Sequence, residues 1–175
     1  MSWEMRGFTL RPIGIIRSPF RELAGTPIQP QMAGDAEGTV ELFQEFVAGL
    51  RDLEGFDRIW LLYWFDRAEW EGNLIVTPYL DTAPRGLFAT RAPSGPNRIG
   101  LSSVRLLSIE NNQLKILGVD MLDATPVLDI KPCVPRFDCF ESVRAGWLDL
   151  TTSNRTVADS RFEQKERPES GHRNE

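Results

Sequence analysis

Residues 102–122 read "SSVRLLSIENNQLKILGVDML". Two apolar stretches flank "ENNQ", and Asn111-Asn112 falls at the junction, where a residue tolerant of positive φ is needed, so the spacing predicts a β-hairpin. Around it the other apolar runs are equally short and bounded by turn residues. "TPVLDIKPCVPRFD" (125–138) reads as a short strand whose flanking prolines keep it near an edge or a closing point. "FTLRPIGIIRSPF" (8–20) reads as an opening strand and "GTVELF" (38–43) as a second, with Val40 and Leu42 facing one way and Thr39 and Glu41 the other. "RIWLLYWF" (58–65) is long enough for one strand buried on both faces. Leu42, Phe43, Phe46, Val47, Leu50 and Leu53 recur at three and four residues, which predicts a short amphipathic helix ending near Gly55. The fold class read from these elements is mostly β: a single-domain β-barrel, residues 8–140, with a short helix packed on it.

Between the first strands lies "RELAGTPIQPQMAGDAEG" (21–38), a surface loop of a length that is usually functional or disordered. From Thr151 to Glu175 the chain is almost devoid of apolar residues, and 151–175 is expected to be a disordered or loosely attached tail. The 175 residues, 41% hydrophobic, suit one domain that folds without metals or disulfides. Cys133 and Cys139 are too few for a disulfide framework, and the single His172 lies in the polar tail, so no metal site is expected. The N-terminus lacks a signal-peptide pattern and "IWLLYWF" is too short to span a bilayer. The expectation is a reduced, cytoplasmic protein with no membrane association.

Familiar catalytic motifs are missing. No Gly-rich loop runs from a strand into a helix, so a P-loop and a Rossmann dinucleotide site are excluded. Gly-x-Ser-x-Gly is absent, and a Ser/His/Asp triad would have only His172 to use. Asp120, Asp123 and Asp129 formally allow a glycosidase-like carboxylate pair, on spacing alone.

Charge patterning is more informative. The net charge is −5, yet 17 of the basic residues are Arg and 3 are Lys, a bias toward bidentate recognition of carboxylate or phosphate. The 28 residues between Asp81 and Glu110 contain no Asp or Glu and hold Arg85, Arg91, Arg98 and Arg105. Such a segment presents a positive potential to anions, unless its arginines pair with carboxylates from elsewhere in the fold. Within it, "ATRAPSGPNRIGLS" (89–102) combines φ-fixing Pro93 and Pro96 with Gly95 and Gly100, which permit close approach of a ligand to the main chain.

These segments also carry a resemblance. "IGIIRSPF", "PIQP", "DLEGFDRIWLLYWF", "GLFATRAPSGPNRIGLS" and "GVDMLDATPVLDIKPCVP" resemble, in order, the motifs of the TsaA-like or TrmO family, over Leu10 to Asp138. The resemblance implies a non-Rossmann β-barrel methyltransferase that uses S-adenosylmethionine and works as an intertwined homodimer. The implied reaction is N6-methylation of threonylcarbamoyladenosine at position 37, in the tRNA anticodon loop. Carried over by position, cofactor contacts fall on Pro27, Ile28 and Gln29, on Asp66 and Arg67, on Arg91 and Leu101, and on Leu117, Gly118, Val119 and Asp120. The chemistry agrees: Arg91 suits the cofactor carboxylate, Asp120 the ribose hydroxyls, and apolar walls with backbone groups the adenine. Catalysis would be mainly positioning, with Asp129 or Lys131 in "DIKP" as candidate bases by location.

The chain departs from the family pattern at six points. Ala92 stands for Ser, Gly95 for Arg, Arg98 for Pro, Asp66 for His, Ala124 for Gly and Cys133 for an aromatic residue. The departures bear on the acceptor more than on the cofactor. Two other readings therefore stand beside the first: a methyltransferase of the same fold with a small-molecule acceptor, and a noncatalytic module that binds S-adenosylmethionine or RNA.

Overall fold

The computed structural model describes residues 9–141 and 143–162. Its strands are β1 (Gly14–Arg17), β2 (Glu37–Leu42), β3 (Arg58–Trp64), β4 (Ile75–Val76), β5 (Arg85–Gly86), β6 (Ile99–Glu110), β7 (Gln113–Leu117) and β8 (Pro126–Pro132). Six of them close a barrel in the order β1-β2-β7-β6-β3-β8, antiparallel throughout, while β4 and β5 pair separately. The β6–β7 hairpin turns where the sequence places it: Glu110 pairs with Gln113, and Asn111 takes φ 57°. β8 closes the barrel, pairing with β3 along its length and with β1 through Gly14–Val127 and Ile15–Pro126. A closing strand that begins and ends in proline loses ladder donors only at its extremities.

The lumen is filled by Ile16, Val40, Ile59, Leu61, Val104, Leu114, Ile116 and Val127, all fully buried. Each contributes about 1.5–3 kcal/mol by leaving water. β3 differs from its sequence reading in one respect. Ile59, Leu61 and Tyr63 point inward and are buried, but Trp60, Leu62 and Trp64 alternate onto the outer face and are only half-buried. A closed barrel has one interior, so a strand flanked by β6 and β8 can bury only every second side chain there.

The amphipathic segment is also different in kind. β2 already includes Leu42, and beyond it the chain forms two 3₁₀ segments, Gln44–Leu50 and Leu53–Gly55, rather than an α-helix. Gly49 and β-branched Val47 weaken an α-helix, and the three-residue spacings Phe43–Phe46 and Leu50–Leu53 suit a three-residue turn. Leu50 is buried in the core, with Phe46 and Leu53 packed against it, so the burial expected of the helix is retained.

Residues 151–162 depart from the expected loose tail. Ala158 is buried, Val157 bridges Pro27, and the ring of Phe162 meets Tyr79 edge-on at 5.1 Å. Their hold is backbone pairing plus a few apolar anchors, which low apolar content conceals. His172 lies outside the described residues. Among those described, no helix is long and apolar enough to cross a membrane, and no group of His, Cys, Asp and Glu could hold a metal.

Candidate functional site

Inside the barrel wall, Gly100 lies opposite Tyr63, and a Cβ there would come within 2.2 Å of the tyrosine ring. Glycine is therefore required for Tyr63 to lie across β6. The Tyr63 hydroxyl is 3.1 Å from Ser102 Oγ, and Ser102 Oγ is 3.0 Å from Asp120 Oδ2. A serine has one hydroxyl proton and an ionised carboxylate accepts only, so when Asp120 is ionised Ser102 donates to it and Tyr63 donates to Ser102. Asp120 Oδ1 has no hydrogen-bond partner among the described residues. Burial pushes the Asp120 carboxyl up to about 7, against the opposing pull of the Ser102 hydrogen bond and the Arg91 charge. Burial likewise raises Tyr63, helped by the charge of Asp120.

The loop bearing Asp120 is fixed from the opposite side. Gly118, at φ 86°, donates its N–H to Ala36 O at 2.9 Å, and a Cβ on it would sit 3.3 Å from Pro30 O. Residues 117–120 are thus held against the "PIQP" loop. Gln29 Nε2 donates to Ile28 O at 2.7 Å, which turns Oε1 toward Arg91, whose Nη1 donates to it at 2.5 Å. Gln29, Arg91 and the Leu117–Asp120 turn, three separate sequence predictions, are brought into one neighbourhood, with Arg91 near enough to bias both Asp120 and Tyr63.

The other arginines of the carboxylate-free segment do different things. Arg85 is not available to an outside anion: Nε and Nη2 both donate to Asp81 Oδ2, at 2.9 and 2.6 Å. Arg98, at φ 52°, lies over the Trp64 ring at 5.0 Å, and its Nη1 donates to Ala68 O at 2.6 Å. Its own carbonyl accepts from Phe65 N–H at 2.8 Å, so Arg98 clamps the turn that carries Asp66 and Arg67. Arg105 faces Arg58 across β6 and β3. Among the described residues, Arg91 is the member of the four whose guanidinium bonds a side-chain amide, that of Gln29.

Asp66 and Arg67 form a second group. Arg67 Nη2 donates to Asp123 O at 2.5 Å, and Asp123 pairs with Arg21 and accepts from Ser18 N–H. Leu101, Asp129 and Lys131 form a third, on the outer face. Leu62 pairs with Leu101 on one side and Asp129 on the other, so these three make one cross-strand row, and Trp60 pairs with Lys131 in the next. Asp129 and Lys131 are ion-paired at 2.5 Å. The three aspartates of the glycosidase-like reading are engaged separately, by Ser102, Arg21 and Lys131, and do not form a facing pair.

Sequence reasoning missed Tyr63 and Ser102. The signal was present in both: a tyrosine hydroxyl inside an apolar run needs a buried partner, and paired serines interrupt an otherwise apolar strand.

The fold and site define a non-Rossmann barrel protein in which an exposed arginine and a buried, half-satisfied carboxylate share one neighbourhood. The chain belongs to the family of the tRNA-methyltransferase O N-terminal domain, whose profile matches residues 15–139. It is 56% identical over 154 residues to a protein of Pyrococcus abyssi named a probable S-adenosyl-L-methionine-binding protein, covering 87% of this chain and 83% of that one. It is 36% identical over 144 residues to the tRNA (adenine(37)-N6)-methyltransferase of Mus musculus, covering 77% of this chain and 33% of that one. A crystal structure of TrmO from Pseudomonas aeruginosa superposes with a TM-score of 0.67 at 42% identity, covering 80% of this chain and 62% of the solved one.

Proposed function

We propose that this chain is an S-adenosylmethionine-dependent methyltransferase acting on tRNA, with threonylcarbamoyladenosine at position 37 of the anticodon loop as its acceptor. The observation that carries the cofactor reading is the pairing of unmet needs in one neighbourhood. Asp120 offers a buried carboxylate oxygen with no hydrogen-bond partner among the described residues, and Arg91 an exposed guanidinium bonded to a neutral amide. A zwitterionic nucleoside meets both: hydroxyls donate to Asp120 Oδ1 and a carboxylate accepts from Arg91, a charge-assisted bond. Ile28, beside Gln29, and Leu117, in the turn that carries Asp120, are both half-buried and are the apolar side chains we assign to the base, with Gln29 fixing the arginine's direction. When bound, S-adenosylmethionine supplies a methyl group already activated by its sulfonium.

The residues on the outer face of β8, β3 and β6 complete the reading. Trp60, Leu62 and Trp64 are half-buried there, and Ile99 and Leu101 are exposed. This apolar sheet face supports a second copy of the chain, as the homodimer reading requires. Asp129 and Lys131, ion-paired with each other on β8, are the candidate bases by location, Asp129 lying in the row of Leu101. Asp66 and Arg67, on the turn that Arg98 clamps, are the remaining polar contacts that the family resemblance gives the cofactor. The relative whose name states a tRNA substrate supports an RNA acceptor, and we place the work in the cytoplasm.

One observation favours the second reading, a different acceptor. The charge at Arg98 is turned onto Trp64 and Ala68, and Gly95 has no charge to offer, so the loop presents less positive surface than the family pattern. Mass spectrometry of tRNA nucleosides from cells lacking the gene decides between them. Loss of the methylated threonylcarbamoyladenosine is expected; an unchanged nucleoside profile would refute the tRNA reading.

A further inference from the structure

We propose that residues 147–161, which come after the barrel, are a strap that sets the Gln29–Arg91 pair and so belong to the cofactor-binding machinery. The proposal rests on the cofactor reading above. It concerns a segment beyond the family profile, which ends at residue 139.

The strap touches both loops that meet at the pair. On the "PIQP" side it runs antiparallel: Gly25 N–H donates to Ala158 O at 3.0 Å, Ala158 N–H to Thr26 O at 2.8 Å, and Ile28 N–H to Thr156 O at 3.0 Å. Val157 bridges Pro27, and Thr26 and Ala158 are buried at the seam. On the arginine side, Trp147 Nε1 donates to Ala89 O at 2.8 Å, two residues from Arg91, and the Trp147 ring lies 5.5 Å beneath the Arg85 guanidinium. Between these ends, Thr151 Oγ1 donates to Leu80 O at 2.7 Å and Arg161 Nη1 to Pro78 O at 2.7 Å. Arg161 is itself locked on Asp159 by two bonds of 2.8 and 2.7 Å.

Neither loop has regular structure of its own to hold it. The stretch 21–29 has no helix or strand, and 87–98 has only one 3₁₀ turn, Leu87–Ala89. A loop left to itself samples many states, and a ligand must then select the one in which Gln29 and Arg91 meet. Backbone pairing to one continuous segment removes that freedom from both loops at once. The strap consequently acts through the two loops, chiefly on Arg91 and also on Pro27 and Ile28, rather than by touching ligand, and its residues are positioning residues.

The test uses the full chain with Ala158→Pro, which deletes the N–H to Thr26, and Trp147→Phe, which keeps the ring beneath Arg85 and deletes the N–H to Ala89. Calorimetric titration with S-adenosylmethionine should show the Kd of Ala158→Pro raised about tenfold by loss of preorganisation, with Trp147→Phe moving in the same direction. Hydrogen exchange at the Gly25 and Ile28 amides should quicken in Ala158→Pro while the far-ultraviolet circular dichroism is kept. In an Arg91→Ala background the effect of Ala158→Pro on Kd should shrink to about threefold or less, because the principal group being positioned is gone. Faster exchange with an unchanged Kd, or the same tenfold loss in the Arg91→Ala background, would overturn the strap's role while leaving the cofactor reading intact. A wild-type chain that binds no S-adenosylmethionine would overturn both.

Discussion

Asp120→Asn isolates the most unusual ionisable group in the barrel. The folded-state value of about 7 lies above the ordinary 3.8 because burial disfavours the charged form. With the folded value raised, the neutral carboxyl binds its proton more tightly in the folded chain than in the unfolded one. Its stabilising contribution is present at acid pH and is lost as pH rises through about 7. Between pH 5 and pH 8 this single group removes about 3 kcal/mol of stability from the wild type. Asparagine occupies the same volume, still accepts from Ser102 and cannot ionise. Asp81 and Asp159 are pulled below their ordinary values and titrate at lower pH, identically in both proteins, so they cancel in the difference. Urea unfolding of both proteins at half-unit steps should show Asp120→Asn gaining about 3 kcal/mol on wild type from pH 5 to pH 8. Parallel profiles would refute the buried, ionising carboxylate and with it the pairing of Asp120 and Arg91 on which the site is built.

Two further substitutions probe the surroundings. Gly100→Ala places a Cβ 2.2 Å from the Tyr63 ring and should destabilise by at least about 1–3 kcal/mol in urea unfolding; a change below about 0.5 kcal/mol would show that the ring moves freely. Arg98→Gly relieves a left-handed backbone worth about 1–2 kcal/mol and gives up a stacked guanidinium and one hydrogen bond worth about as much. Its global stability should therefore stay within about 1 kcal/mol of wild type, and a loss above about 3 kcal/mol would refute that balance.

The legibility of the fold in the sequence depends on what each signal reports. Period-two alternation and the Asn111-Asn112 turn reveal strands, and the proline-bounded "PVLDIKP" reveals the closing one, because these are local properties of backbone and pleat. Which face of "RIWLLYWF" is outside was not legible, since an apolar outer face looks the same as a core until its neighbours are known. The 3₁₀ form of Gln44–Leu50 was hidden because spacings of three and four fit either helix over so short a span. Arg91 stands among four arginines of one segment, and only tertiary pairing separates it from Arg85, which keeps its own aspartate, and from Arg98, which lies over Trp64 on the outer face. Tyr63 and Ser102 interrupt apolar strands with hydroxyls, a signal that carries no periodicity and so does not single them out. The strap is hidden for a different reason: its grip is main-chain hydrogen bonding, which residue composition does not encode.

The central claim is that Arg91 and Asp120 together hold S-adenosylmethionine. It is tested most directly by calorimetric titration of the wild-type chain and of Arg91→Ala with S-adenosylmethionine at pH 8, where Asp120 is ionised. Saturable binding to wild type is expected, weakened in Arg91→Ala by about 1.5–3 kcal/mol, the value of a hydrogen bond to a charged group. No heat of binding at millimolar ligand, or equal affinities for the two proteins, would contradict it.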